Sequence, residues 1–293
     1  MIKLSKGFFL IVLAGLIFGS MGVLVRYISP HVTPFSQVLI RVAFAFIMSL
    51  LLLISKSRDF FKITKKDLLV YGLGGVLGHA TVLILFTLSI INTTIANAFF
   101  LLYTEPFFAA VFAYMFLKEK ITKQLLIALI ISFIGIFLIF NPSNFHQNLL
   151  GNIYGLGAGI LYGFYIFLGR IVGKKYSSSK NTLWMFTFSL LFLIPVTLGF
   201  EKPFSLSIPF YIWVLLFLFG LANVSAYSLL NAGLSKIKAG YAGVLLLLAP
   251  TSAVFYAIVF LKEYPKLNTI LGAGLIISSI VFLTFSKFKL KKT

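Results

Sequence analysis

Ten apolar segments, each long enough to cross a lipid bilayer, follow one another along the chain with short polar connections between them. A hydrocarbon core about 30 Å thick takes about 20 helical residues to cross. The segments run over residues 7–28, 34–54, 68–90, 94–117, 122–140, 150–172, 181–199, 209–233, 238–261 and 267–286. In lipid every backbone N–H and C=O needs a partner, which a helix supplies within the segment. Barrel strands would be shorter and would alternate polar with apolar residues. The pattern therefore predicts an all-α polytopic membrane protein with ten transmembrane helices. Composition agrees: 60% of the 293 residues are hydrophobic and only 11% are charged, far from a soluble domain.

The formal charge of +19 could suggest nucleic-acid binding, but no basic stripe or recognition motif accompanies it. The cations sit in short loops, where Lys and Arg mark the cytoplasmic side of a membrane protein. Nineteen of the 25 fall on one side: Lys3 and Lys6; Lys56, Arg58, Lys62, Lys65 and Lys66; Lys118, Lys120 and Lys123; Lys174, Lys175 and Lys180; Lys236 and Lys238; Lys287, Lys289, Lys291 and Lys292. This predicts both termini in the cytoplasm and a multi-pass protein of the cell membrane. The apolar run after Lys6 is too long for a signal peptide and is expected to stay as the first helix. With no cysteine, disulfides, thiol catalysis and cysteine-ligated metals are excluded. No nucleotide-binding loop is present, so no cofactor and no ATP coupling are expected.

The chain also repeats itself. A shift of 144 residues lays Gly7 on Gly151, Ala14-Gly15 on Ala158-Gly159, Gly19 on Gly163 and Arg26 on Arg170; the same shift brings Pro106 onto Pro250 and Lys118-Glu119 onto Lys262-Glu263. One shift explaining so many matches defines an internal repeat. Each half holds five helices, an odd number, so the second half crosses in the opposite sense. That is the inverted-repeat plan of secondary transporters. The expected units are 1–140 and 150–293, with 141–149 as linker.

These residues carry a resemblance. The five-plus-five plan, the A-G-x-x-F/Y-G pattern of Ala14–Gly19 and Ala158–Gly163, the mid-helix prolines Pro106 and Pro250 and the L-K-E endings at Glu119 and Glu263 resemble the EamA family of the drug/metabolite transporter superfamily. The resemblance implies a proton-linked or facilitative carrier of amino acids or related metabolites, often an exporter. It also implies a central cavity lined by helices one, three, four, six, eight and nine.

Within that frame the ionisable and polar residues at bilayer depth are the candidate site. At about 1.5 Å per residue, His79 and Glu105 each lie about 16 Å into their helices, near the midplane. Glu105 is expected as a proton-binding carboxylate or the counter-charge of a substrate amine, or else as a structural partner of Arg41. His79 could relay protons or meet a substrate carboxylate; a histidine merely hydrogen-bonded to a neighbour is the alternative. Its repeat counterpart is Asn223, whereas that of Glu105 is Ala249. Asn97, Tyr103, Tyr162 and Tyr227 are further cavity candidates, because buried amides and phenols need partners. Pro106 and Pro250 are expected to break their helices as hinges or cavity walls, with kinked packing as the plainer alternative. Lys118 and Glu119 read as interfacial anchors.

The function expected is alternating-access transport of a small metabolite, with the bilayer, the substrate and, where transport is proton-linked, protons as partners, in a monomer or homodimer. The alternatives are translocation of a lipid head group or lipid-linked metabolite and, in another class, a polytopic membrane enzyme. The last would need a convergent catalytic set, for which one mid-membrane carboxylate and three scattered histidines are thin material.

Overall fold

The computed structural model describes residues 6–54, 63–93, 95–139, 149–201, 208–262 and 266–289. The elements are α1 (Lys6–Ile28), α2 (Pro34–Ile54), α3 (Lys65–Gly75), a π-helical turn (Val76–Thr81), α4 (Val82–Asn92), α5 (Ile95–Leu102), α6 (Glu105–Leu117), α7 (Lys123–Ile139), α8 (Leu149–Gly173), α9 (Ser178–Phe200), α10 (Phe210–Leu234), α11 (Ala239–Leu246), α12 (Leu248–Tyr256), a second π segment (Ala257–Leu261) and α13 (Leu267–Lys289). They make ten crossings. The third is α3, the π turn and α4; the fourth is α5 with α6; the ninth is α11, α12 and the second π segment. No boundary departs by more than three residues from the sequence expectation. Among the described residues nine helices are long and apolar enough to span a membrane, and α7 adds a shorter apolar one. Residues 141–148 of the expected linker lie outside the described residues, as do Lys3, Lys56, Arg58, Lys62, Glu263, Lys291 and Lys292.

The halves interlock. The first crossing, α1, packs on α10 and α12, while its counterpart α8 packs on α4, α5 and α6; α2 pairs with α9, and α7 with α13. Glycines permit this. A Cβ on Gly19 would stand 2.7 Å from the Ala249 carbonyl and 2.9 Å from the Ala253 nitrogen; one on Gly163 would stand 2.9 Å from the Glu105 carbonyl and 2.8 Å from the Ala109 nitrogen. Every neighbour in one contact is the other's partner shifted by 144. Such small-residue faces let helix backbones approach in lipid, where packing rather than the hydrophobic effect holds helices together. Lys118 and Lys262, again 144 apart, both end their helices with φ of 55°.

The breaks fall where proline requires them. Pro106 has no N–H for the Leu102 carbonyl, so α5 stops and α6 restarts with Pro106 in its first turn, where proline is tolerated. The Thr104 hydroxyl donates to the Leu101 carbonyl at 2.7 Å. Gly159 of α8 closes over the exposed carbonyls: a Cβ there would be 2.5 Å from the Leu101 oxygen and 3.0 Å from that of Leu102. In the second half α11 gives way to α12 at Leu247, and Gly15 of α1 faces the Leu246 carbonyl in the same manner.

Polar clamps join the halves at both ends of the bundle. At the end rich in lysine, Asp67 accepts from Lys175 Nζ at 2.6 Å, from the Tyr176 hydroxyl at 2.8 Å and from the Thr64 hydroxyl at 2.7 Å. The bond to Asp67 raises the Lys175 pKa above its ordinary value. Glu119, expected as an interfacial anchor, does more: it accepts from Arg170 Nε at 3.2 Å and caps α11 through the Ala239 N–H at 3.1 Å. At the opposite end Glu201 accepts from the Phe35 and Ser36 N–H groups at the start of α2 and from the Thr33 and Ser36 hydroxyls. A carboxylate there also meets the positive end of the α2 dipole.

Candidate functional site

Glu105 opens α6 at the break of the fourth crossing. It is fully buried, and neither carboxylate oxygen has a hydrogen-bond partner. The helix start favours a negative group through the positive end of the α6 dipole. Space for the side chain comes from the other half: a Cβ on Gly243 of α11 would lie 3.1 Å from Glu105 Oε2. Tyr103 and Tyr162 are the phenols within electrostatic reach of the carboxylate. Both are buried, and the Tyr162 hydroxyl has no partner.

From there an aromatic chain crosses the core. Tyr162 stands 6.0 Å from Tyr165 and 6.2 Å from Phe18; Tyr227 lies 5.4 Å from Tyr165, 5.0 Å from Phe18 and 4.5 Å from the His79 ring, edge to face. Phe18 and Tyr162 occupy the same position of the two repeats and meet across the pseudo-twofold axis. The chain draws on α1, the third crossing, α8 and α10, four of the crossings implied by the resemblance.

His79 sits in the π turn, a backbone irregularity that recurs at functional sites. Its Nδ1 is 2.8 Å from the Ser189 hydroxyl of α9, and that hydroxyl lies 2.9 Å from the Gly75 carbonyl and 2.8 Å from the Met185 carbonyl. The carbonyls can only accept; where the serine proton goes to one of them, Nδ1 donates to the serine oxygen. The neutral ring then shows Nε2 as an acceptor, and this atom has no partner. Taking up a proton would convert it from acceptor to donor.

Arg41 does not pair with Glu105. Its guanidinium lies over Phe219 at 4.3 Å and reaches Thr87 Oγ1 at 3.3 Å, leaving Nε unpartnered. It lies within electrostatic reach of His79 and Tyr227. Asn223 is fully buried with both amide atoms unpartnered. On α10 it sits four residues after Phe219 and four before Tyr227, so it belongs to the stripe that faces Arg41 and His79. Asn97 is buried in α5, and Pro250 in α12 mirrors Pro106. His79 and Glu105 make no hydrogen bond; the tyrosines stand between them. Ser189 and Thr87 had escaped sequence reasoning, since a lone hydroxyl in an apolar run gives no signal. Among the described residues no group of three or more His, Asp or Glu converges as a metal site.

A space lies against the exposed apolar faces of α6 and α7. A cavity of about 520 Å³ between α6 and α7 is walled by apolar side chains such as Phe107, Ile130 and Phe133, and its floor is Tyr103, Thr104 and Pro106 of the break.

The sequence matches the EamA-like transporter family twice, over residues 5–141 and 149–285. The chain belongs to this family. Among its relatives, the uncharacterized transporter YetK of Bacillus subtilis is 26% identical over 85% of this chain and 78% of its own length. The uncharacterized inner membrane transporter YicL of Salmonella typhimurium is 25% identical over 95% of both. A crystal structure at 15% identity superposes with a TM-score of 0.78 over 96% of this chain and 97% of its own, a likeness of fold. As an EamA protein the chain is a multi-pass membrane transporter built as an inverted five-plus-five repeat of helices.

Proposed function

We propose that this transporter carries small zwitterionic metabolites, amino acids or close relatives, by alternating access around the Glu105–His79 region, and that it works as an exporter from the cytoplasm with both termini inside. The observation that carries this reading is the Glu105 carboxylate, buried at the centre of the bundle with both oxygens unpartnered. Such a group is expensive to keep in a fold and makes sense as half of a pair whose other half arrives with the substrate. A substrate ammonium meets Glu105, with the faces of Tyr103 and Tyr162 adding cation–π attraction. A substrate carboxylate meets the unpartnered Arg41 Nε and the Asn223 amide on the far side of the tyrosines. His79, changing Nε2 between acceptor and donor, is the coupling residue for protons. Pro106 and Pro250 mark the joints about which the short helices tilt.

The test is transport of a radiolabelled amino-acid panel in proteoliposomes with and without a pH gradient. Saturable flux that Glu105→Gln abolishes and His79→Ala strips of its pH dependence supports the reading; flux indifferent to both substitutions refutes it. A second reading, translocation of an amphipathic lipid-linked substrate, rests on the cavity between α6 and α7 that ends at the same break. Flux of fully water-soluble amino acids without added lipid substrate would exclude it.

A further inference from the structure

At the two ends of the bundle the halves meet through corresponding but unequal pairs. Adding the repeat offset of 144 turns His31 into Lys175 and Asp67 into Tyr211. Both resulting pairs exist in the structure. Asp67 at the start of the third crossing holds Lys175 in the α8–α9 connection at 2.6 Å, and Tyr211 at the start of the eighth crossing meets His31 Nε2 in the α1–α2 connection at 3.0 Å. The same geometric joint between halves is therefore built once with opposite charges and once with a phenol and an imidazole.

The chemistry of the two joints differs in kind. The Asp67 side chain is 3% exposed, against 51% for Lys175, and takes three donors, two of them from the other half, Lys175 and Tyr176. Tyr176 is tied in further, since its carbonyl accepts from the Asn181 amide at 3.4 Å and the Asn181 oxygen accepts from Tyr71 at 2.7 Å. The His31–Tyr211 bond lies on the exposed surface, backed by one edge-to-face ring contact at 5.8 Å. Charge-assisted bonds are roughly twice as strong as neutral ones, and an exposed bond competes with water. Glu201, the strong carboxylate at the His31 end, binds the start of α2 and Thr33 of the α1–α2 connection to the end of α9; α2 and α9 already pack on each other as the paired second helices of the two repeats. It fixes that pair and leaves the joint beside α10 to His31 and Tyr211.

We propose that Asp67–Lys175 is the resting latch of the transporter: it holds the lysine-rich mouth shut, and the mouth at His31–Tyr211 opens first. This rests on the alternating-access reading, but its readout needs no substrate.

The chain has no cysteine, so a single introduced thiol reports access at its own position. Thr182 and Val38 are related by the 144-residue offset and are buried, one near each mouth. Rates of N-ethylmaleimide labelling are compared for Thr182→Cys and Val38→Cys in proteoliposomes. The latch requires Val38→Cys to react faster in the parent protein. Asp67→Asn and Lys175→Met should each raise Thr182→Cys labelling by about tenfold without raising that of Val38→Cys. The exchanged pair Asp67→Lys with Lys175→Asp should restore protection. Introducing His31→Lys with Tyr211→Asp should slow Val38→Cys. Equal parent rates, unchanged rates after Asp67→Asn, or both reporters speeding up together would each overturn the latch, the last by showing a joint that merely stabilises the fold. Unequal mouths in a protein that moves no amino acid would leave the latch standing and refute only the proposed substrate.

Discussion

The two helix breaks share a frame and differ in chemistry. Both lie at a proline, both are covered by a glycine face of the opposite repeat, and both are buried. Yet the first reads Tyr103-Thr104-Glu105-Pro106 and the second Leu247-Leu248-Ala249-Pro250. The second shows that the break forms without any polar side chain. Glu105 is thus an addition to the scaffold, placed where α6 begins and where Gly243 leaves room for it. The same contrast recurs around the site: Arg41 corresponds to Met185 and Tyr162 to Phe18, so in these pairs only one member is polar, whereas His79 and Asn223 keep a polar group in both halves.

The comparison breaks most visibly at the carboxylate. Glu105→Ala, which copies the second break, should reduce transport at least a hundredfold while leaving thermal stability in detergent equal or higher by about 1 kcal/mol, because an unpaired buried charge has gone. Transport lost together with stability would instead make Glu105 a structural residue. The mirror substitution, Ala249→Glu, places a carboxylate at a fully buried position where the counterpart of Gly243 is Phe99, and should destabilise the fold by about 3 kcal/mol, read as a lowered melting temperature. Next come the glycines. Gly163→Ala and Gly19→Ala meet corresponding backbone atoms, so each should cost about 1–3 kcal/mol and the two values should agree; a large difference would show that the repeats pack unequally. The smallest stability effect is expected for Pro106→Ala and Pro250→Ala, under about 1 kcal/mol, since both prolines stand where a helix starts and no hydrogen bond is lost. Their transport rates sharpen the point: slowed transport with unchanged stability would mark the breaks as moving joints.

Much of the frame was legible in the sequence because two signals are long and redundant. Hydropathy sets the ten crossings, and the 144-residue shift aligns Gly15, Gly19 and Pro106 with their partners. Depth was legible too, which placed Glu105 and His79 near one level. Pairing was not. In lipid the outer and inner faces of a helix are alike in hydropathy, so nothing in the letters tells that Phe107 is 56% exposed while Phe18 is buried in the aromatic core. Rotation about the helix axis therefore stayed open, and with it the question whether Arg41 pairs with Glu105. The contacts of Asp67 with Lys175 and of His79 with Ser189 join residues more than a hundred positions apart, beyond any local pattern. The π turn at Val76–Thr81 lies close against α8, where a Cβ on Gly78 would come within 2.9 Å of Tyr165, and short-range propensity carries no trace of that contact.

The most direct measurement is paired: amino-acid flux into proteoliposomes and melting temperature in detergent, taken on the same preparations of the parent protein and of Glu105→Gln. The account expects flux to vanish while the melting temperature holds or rises. Flux that survives, with a melting temperature that falls, would show that the carboxylate serves the fold and that the site lies elsewhere.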